Sequence, residues 1–211
     1  YTSAATGKLI LKPGITNNTR YDGGAAPGVV KYKDQNGDGK ITTADRTVIG
    51  NAMPKWFGGI TNSFSFKGID FSFMLQYSYG NDVFNATRQF ATGSQDQRYN
   101  MLAEVADRWS PTNASNKVPS TKGYVKGDVY SRFVEDGSFL RLKNMTLGYS
   151  LPKKWINKIH ISKLRIYGTA QNLFCISGYS GYDPEVSTAA SNPMTPGLDW
   201  GAYPKSRVFT F

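Results

Sequence analysis

Between Ile69 and Tyr79 the chain alternates without a break. Ile69, Phe71, Phe73, Leu75, Tyr77 and Tyr79 take turns with Asp70, Ser72, Met74, Gln76 and Ser78. In an extended strand successive side chains point to opposite faces, so this stretch has one greasy face and one largely polar face. The residues before it repeat the pattern, with Ile60, Phe64 and Phe66 on one side and Thr61, Ser63 and Ser65 on the other. Only Lys67 and Gly68 separate the two runs, a length suited to a tight hairpin. The pattern therefore predicts a β-hairpin over residues 57–79.

Two further strands follow from the same reasoning, at 138–151 and 163–174, and residues 207–211 read as the start of another. In the first, Met145, Leu147, Tyr149 and Leu151 alternate with Asn144, Thr146, Gly148 and Ser150. The connections between these strands are unequal. Lys67-Gly68 is minimal and the link around Pro152 is moderate, whereas residues 80–137 and 177–206 form long links. Soluble sandwiches seldom carry such lengths without structure, while outer-membrane barrels pair short periplasmic turns with long outer loops. The expected fold is thus all-β, an antiparallel transmembrane β-barrel segment with long extracellular loops. So few strands cannot close a barrel, and open edges are not tolerated in lipid. The segment is therefore expected to belong to a longer polypeptide or an assembly. Within the first long link, residues 101–109 suggest a short amphipathic helix stopped by Pro111. Residues 1–56 are expected to form an extracellular loop region.

Other compositional signals narrow the function. No apolar run approaches the roughly 20 residues of a spanning helix. The formal net charge is +10, but the basic residues are scattered, the densest group being Lys153, Lys154 and Lys158. No basic run is interleaved with aromatics at base-stacking spacing, so no nucleic-acid partner is expected. Cys175 is the single cysteine, excluding an internal disulfide, and its apolar neighbours Leu173, Phe174 and Ile176 suggest a buried small hydrophobe. No catalytic residue is predicted. His160 is the single histidine, in a turn without a nucleophile motif. Glu135 and Asp136 are strand neighbours that point apart, and the turn around Pro184 accounts for Asp183 and Glu185.

Residues 34–45 carry metal-ligand spacing. Asp34, Asn36, Asp38 and Asp45 fall at positions one, three, five and twelve of an EF-hand-type loop, with Gly39 at six and the Lys40 carbonyl at seven. Hard oxygen ligands at this spacing suit Ca²⁺. Asp45 stands where a bidentate Glu is usual, and Val29-Val30-Lys31-Tyr32 reads as a strand where a helix is expected. An ion-free Asx-rich turn is the competing reading.

A series of segments resembles one family, the TonB-dependent outer-membrane transporters of the SusC/RagA group found in Bacteroidetes. The segments are Lys33 to Ile41, Asp45 to Asn51, Tyr79 to Asn85, Arg108-Trp109, Phe133 to Asn144 running on into Thr146 to Tyr149, Gln171 to Phe174, Gly181 to Glu185, and Tyr203-Pro204 leading to Arg207. They follow one another from about Val29 onwards, and the ordered series is more specific than any single motif. The resemblance implies a plugged barrel of about 22 strands, with this chain holding C-terminal ones. It also implies energised uptake through TonB, outer-membrane lipid around the barrel, a SusD-like surface lipoprotein, and an oligosaccharide or peptide as cargo. The family usually continues a few residues beyond the position of Phe211. The alternative is a calcium-stabilised all-β surface module that binds glycans or mediates adhesion, with Tyr179, Tyr182, Trp200 and Tyr203 stacking on sugar rings.

Overall fold

A computed structural model describes residues 26–93, 99–121, 123–124, 127–157, 160–186 and 196–211. Its largest element is a five-stranded antiparallel sheet of β1 (Trp56–Phe66), β2 (Ile69–Tyr79), β5 (Phe139–Ser150), β6 (Arg165–Ser177) and β8 (Val208–Thr210), in spatial order β1-β2-β5-β6-β8. A smaller sheet joins β3 (Asp82–Asn85), β4 (Val134–Asp136) and β7 (Leu198–Asp199) in the order β4-β3-β7. Two helices are short, α1 (Ala86–Gly93) and α2 (Lys153–Ile156). Among the described residues no helix is long and apolar enough to cross a membrane, which has no bearing on strands.

The predicted hairpin is present. Phe66 pairs with Ile69, and Lys67 and Gly68 both take positive φ, at 48° and 86°. That combination is a type I′ turn, whose twist matches that of the flanking strands. Gly68 is also required by space, because a Cβ there would lie 2.7 Å from the Ser150 carbonyl oxygen.

The ladder registers bring like residues together across the sheet. Ile60 lies opposite Leu75, Phe64 opposite Phe71, Phe71 opposite Leu147 and Tyr149 opposite Ile166. On the other face Ser63 meets Ser72, Ser72 meets Thr146, and Thr146 meets Thr169 with their hydroxyls 3.1 Å apart. Asp70 and Arg165 form an ion pair on this polar face. The rings of Phe64, Phe71 and Phe73 pack together with centroids 5.8–6.5 Å apart. The apolar face is nonetheless open: Phe64 is 55% exposed, Leu147 55% and Ile166 63%. Each strand of the hairpin runs 11 residues.

Two bulges interrupt the ladders at one height. Lys143 is the extra residue of β5 between its partners on β2, and the pairing of β5 with β6 shifts between Leu142 and Asn144. On β6 the backbone turns left-handed at Asn172, φ 51°, where the side-chain amide donates to the Ser206 carbonyl at 3.0 Å. Asn is among the few residues that tolerate this conformation.

Several details differ from the sequence reading. The described chain divides into two compact units, residues 50–85 with 134–211, and residues up to 49 with 86–133. Residues 80–137 are not a bare loop but contain β3, α1 and β4. The helix expected at 101–109 is a 3-10 turn over Ala103–Asp107, too short for amphipathic periodicity to express itself. Cys175 is exposed rather than buried: it pairs with Arg141 on β5, and β8 pairs with β6 only as far as Gln171, so β6 is a sheet edge at this position. The core of the unit holding residues 86–133 is aromatic. Tyr124, Tyr130 and Phe133 are buried with ring centroids 5.3–6.3 Å apart, and Arg132 lies over the Phe133 ring.

Candidate functional site

The end of the sheet away from the tight turns carries a network of buried charge within the unit built on the strands. Alternation puts Arg141 on the polar face, opposite to that of its neighbours, the exposed Leu140 and the buried Leu142. Its side chain is 4% exposed and meets Asp183, 5% exposed, at 2.5 Å. Asp183 also accepts the backbone N–H groups of Glu185 at 2.9 Å and Lys205 at 3.3 Å. Glu185 stands among cations, 3.5 Å from Arg141 Nε, 2.5 Å from Lys205 Nζ and 3.7 Å from Lys143 Nζ. Lys143 in turn donates to Gln76 Oε1 at 2.6 Å. A charge removed from water is tolerated only when it is paired, and Asp183 and Glu185 pair with Arg141 here.

A second cluster lies beside it. Tyr179 is buried and donates to Asp199 at 2.6 Å, and burial first, then that bond, raises the phenol well above its ordinary value. Glu135 accepts the Ser180 N–H and hydroxyl, both at 2.8 Å, while Asp136 accepts the Ser138 N–H at 2.9 Å. The two neighbouring acids thus serve different loops, as strand geometry requires. A cavity of about 440 Å³ on the polar face is lined by Gly59, Met74, Gln76, Phe139, Lys143 and Glu185 among others.

The loop with metal-ligand spacing lies in the other unit. Asp34 accepts the N–H groups of Gly37 at 2.7 Å and Gly39 at 2.8 Å. Asn36 accepts from Asp38 N–H and Asp38 from Lys40 N–H. Asp45 accepts the N–H groups of Gln35 at 2.9 Å and Thr42 at 2.7 Å. The Thr42 amide foremost, then that of Gln35, holds the Asp45 carboxyl below its ordinary value. Gly37 and Gly39 both have φ 77°, so the sharp turn expected at Gly39 is present. Asp34, Asn36, Asp38, Lys40 and Asp45 are thus folded into one loop. Among the described residues no three His, Cys, Asp or Glu side chains converge as a metal cluster does. Each bonded carboxylate oxygen keeps a second lone pair for a cation.

Of the four aromatics considered for sugar stacking, Tyr179 is buried, whereas Tyr182, Trp200 and Tyr203 are exposed. His160 is exposed at a turn with φ 57°. Arg141 escaped the sequence reading. The available signal was an arginine on the polar side of an alternating strand, where a lone charge needs a partner.

No protein-family model matches the chain. It is similar to curated proteins described as TonB-dependent receptors. One is receptor P3 of Formosa agariphila, 36% identical over 193 residues, covering 89% of this chain and 19% of the relative. Another is SusC of Bacteroides thetaiotaomicron, 31% identical over 191 residues, covering 90% of this chain and 18% of the relative. Among solved structures it is similar to the RagAB peptide importer in its open-open state, with TM-score 0.66 and 26% identity over 80% of this chain and 18% of that one. The closed-closed state gives TM-score 0.67 and 25% identity over 86% of this chain and 20% of that one. These relatives are receptors and importers, not enzymes.

Proposed function

Because this chain belongs, over the stretch it shares with them, to the SusC/RagA group of TonB-dependent receptors and spans about a fifth of their length, we propose that it is part of the barrel wall of an outer-membrane importer. The observation that carries this is the two-faced sheet. Its apolar face is exposed across four long strands, and its other face is lined by Ser, Thr, Asn, Gln and ion-paired side chains. Strands of 11–13 residues reach across a bilayer when tilted. A lipid-facing sheet cannot leave β1 with one open ladder edge, so further strands of a large barrel, about 22 by family resemblance, complete it.

In this reading the polar face lines the lumen, the Lys67-Gly68 turn and the Pro152 connection face the periplasm, and the longer connections face outside. The Arg141–Asp183–Glu185–Lys205 network ties a long loop to the wall at the outer mouth, fixing the rim where cargo enters. Uptake is driven through TonB and shared with a SusD-like surface lipoprotein, and the cargo is a peptide or an oligosaccharide. The likeness to a peptide importer favours the peptide. A water-soluble glycan-binding module is disfavoured, since it would have to bury Phe64, Leu147 and Ile166. We assign the 34–45 loop a Ca²⁺-holding role through Asp34, Asn36, Asp38, the Lys40 carbonyl and Asp45, as a brace for the loop.

The test is purification of the full-length receptor from its native host with an affinity tag. We expect it in the detergent-extracted outer membrane with a lipoprotein bound, and we expect cells lacking it to stop accumulating labelled peptide. Recovery in the soluble fraction would overturn the proposal.

A further inference from the structure

The short-turn end of the sheet is basic in a way that the transport role does not use. No acidic residue occurs between Asp136 and Asp183, and β1 has none. Register brings Lys153, Lys154 and Lys163 of this interval to one end, beside Lys67, while Lys143 lies at the other end with Glu185. The Ser150 N–H donates to Gly68, and the Leu151 N–H to the Leu164 carbonyl at 2.9 Å. The turn at Lys67, the helix start at Lys153 and Lys154, and Lys163 therefore lie side by side. All four are exposed. The nearest acid on the sheet, Asp70, is on the polar face and already taken by Arg165.

The apolar face continues up to this charge. Phe66 is 68% exposed, and Lys67 Nζ lies 5.1 Å from the centre of its ring, leaning towards that face. Trp155 is 60% exposed directly after the two lysines of α2, while Ile156 anchors the helix in the interior. Aromatic rings with ammonium groups at the border of an apolar belt fit the headgroup level of a bilayer, and the lysines fit phosphate.

We propose that Lys67, Lys153, Lys154 and Lys163, with Phe66 and Trp155, form a docking surface for anionic phospholipid headgroups of the leaflet that the short turns face. The inference rests on the barrel reading, because the surface needs its apolar border in lipid. The lysines hold lipid phosphates by charge, the rings set the depth, and the barrel is pinned vertically at this end. Each lysine near an anionic surface is worth about fivefold in association, from about 1 kcal/mol per basic residue.

The experiment uses the full-length receptor in nanodiscs of equal phosphatidylglycerol and phosphatidylcholine. The lipids that stay bound on release from the disc are counted by native mass spectrometry. We expect the retained lipid to be enriched at least fivefold in phosphatidylglycerol. The K67Q/K153Q/K154Q/K163Q variant should return to the bulk ratio, and a K31Q/K33Q control, at exposed lysines outside the short-turn end, should behave as wild type. Inorganic phosphate should not displace the lipid. Equal ratios in wild type and variant, or displacement by free phosphate, would overturn the docking surface and leave the barrel intact. Failure of the wild type to enter the disc, read by flotation, would overturn the barrel reading and this surface with it.

Discussion

Replacing Arg141 with Met isolates the most consequential contact in the wall. The guanidinium and the Asp183 carboxylate are each at most 5% exposed and 2.5 Å apart. Met fills a similar volume over the Phe139 ring, which the guanidinium now covers at 5.6 Å. The substitution leaves Asp183 with two backbone donors, from Glu185 and Lys205, and no buried counter-charge. Breaking a buried pair from one side costs about 3–5 kcal/mol, whereas removing both charges together is often neutral. The amides of Glu185 and Lys205 report directly on whether the loop stays docked, so hydrogen exchange on the full-length receptor is the assay. Opening should become about 10²–10⁴ times more frequent in Arg141→Met. Adding Asp183→Asn should restore most of the protection, because the uncompensated charge is gone. Exchange within threefold of wild type in Arg141→Met, or no recovery in the double variant, would refute the argument that this pair holds the loop.

Gly68→Ala places a Cβ at φ 86° and 2.7 Å from the Ser150 carbonyl oxygen, so it should destabilise the barrel by about 1–2 kcal/mol in guanidinium unfolding from vesicles. Lys67→Asn, whose residue accepts φ 48°, should leave the midpoint unchanged or raised. The Glu104 carboxyl is held below its ordinary value of 4.5, chiefly by its bond to Arg88. A depressed pKa gives stability that is present above the ordinary value and lost as pH falls through the folded one. Protection of the Leu102 amide, which bonds Ala91 beside that pair, should therefore hold above pH 4.5 and decline below it, by about 1 kcal/mol, and should be flat in Glu104→Gln. Calorimetric titration of Ca²⁺ into chelator-treated receptor should release heat that Asp34→Ala and Asp38→Ala abolish; equal heats in all three would remove the proposed ion site.

The long strands were legible because period-two alternation over 11 residues is a strong local signal, and the I′ turn at Lys67-Gly68 reinforced it. β3, β4 and β7 have only four, three and two residues, too few to alternate visibly, and their pairing is decided by partners far along the chain. The sequence Ala86–Gly93 forms a helix without an acidic first turn or a basic last turn to announce it. Cys175 misled because its neighbours are apolar, yet β6 is a sheet edge at this position, which neighbourhood in sequence does not show. The Arg141–Asp183 pair spans 42 positions, and no local pattern carries such a contact. The metal-ligand spacing at 34–45 was readable at once, since all its residues lie within one turn of chain.

Site-directed spin labelling along β2 tests the two-faced wall most directly. Single cysteines at positions 69 to 77, on a cysteine-free background of the full-length receptor that includes Cys175→Ser, are probed in bilayers with oxygen from the lipid phase and a nickel chelate from water. The two-faced wall requires oxygen maxima at 69, 71, 73, 75 and 77 and chelate maxima at 70, 72 and 76. Accessibility without a two-residue period, or labels at 71, 73 and 75 sealed from oxygen, would contradict it.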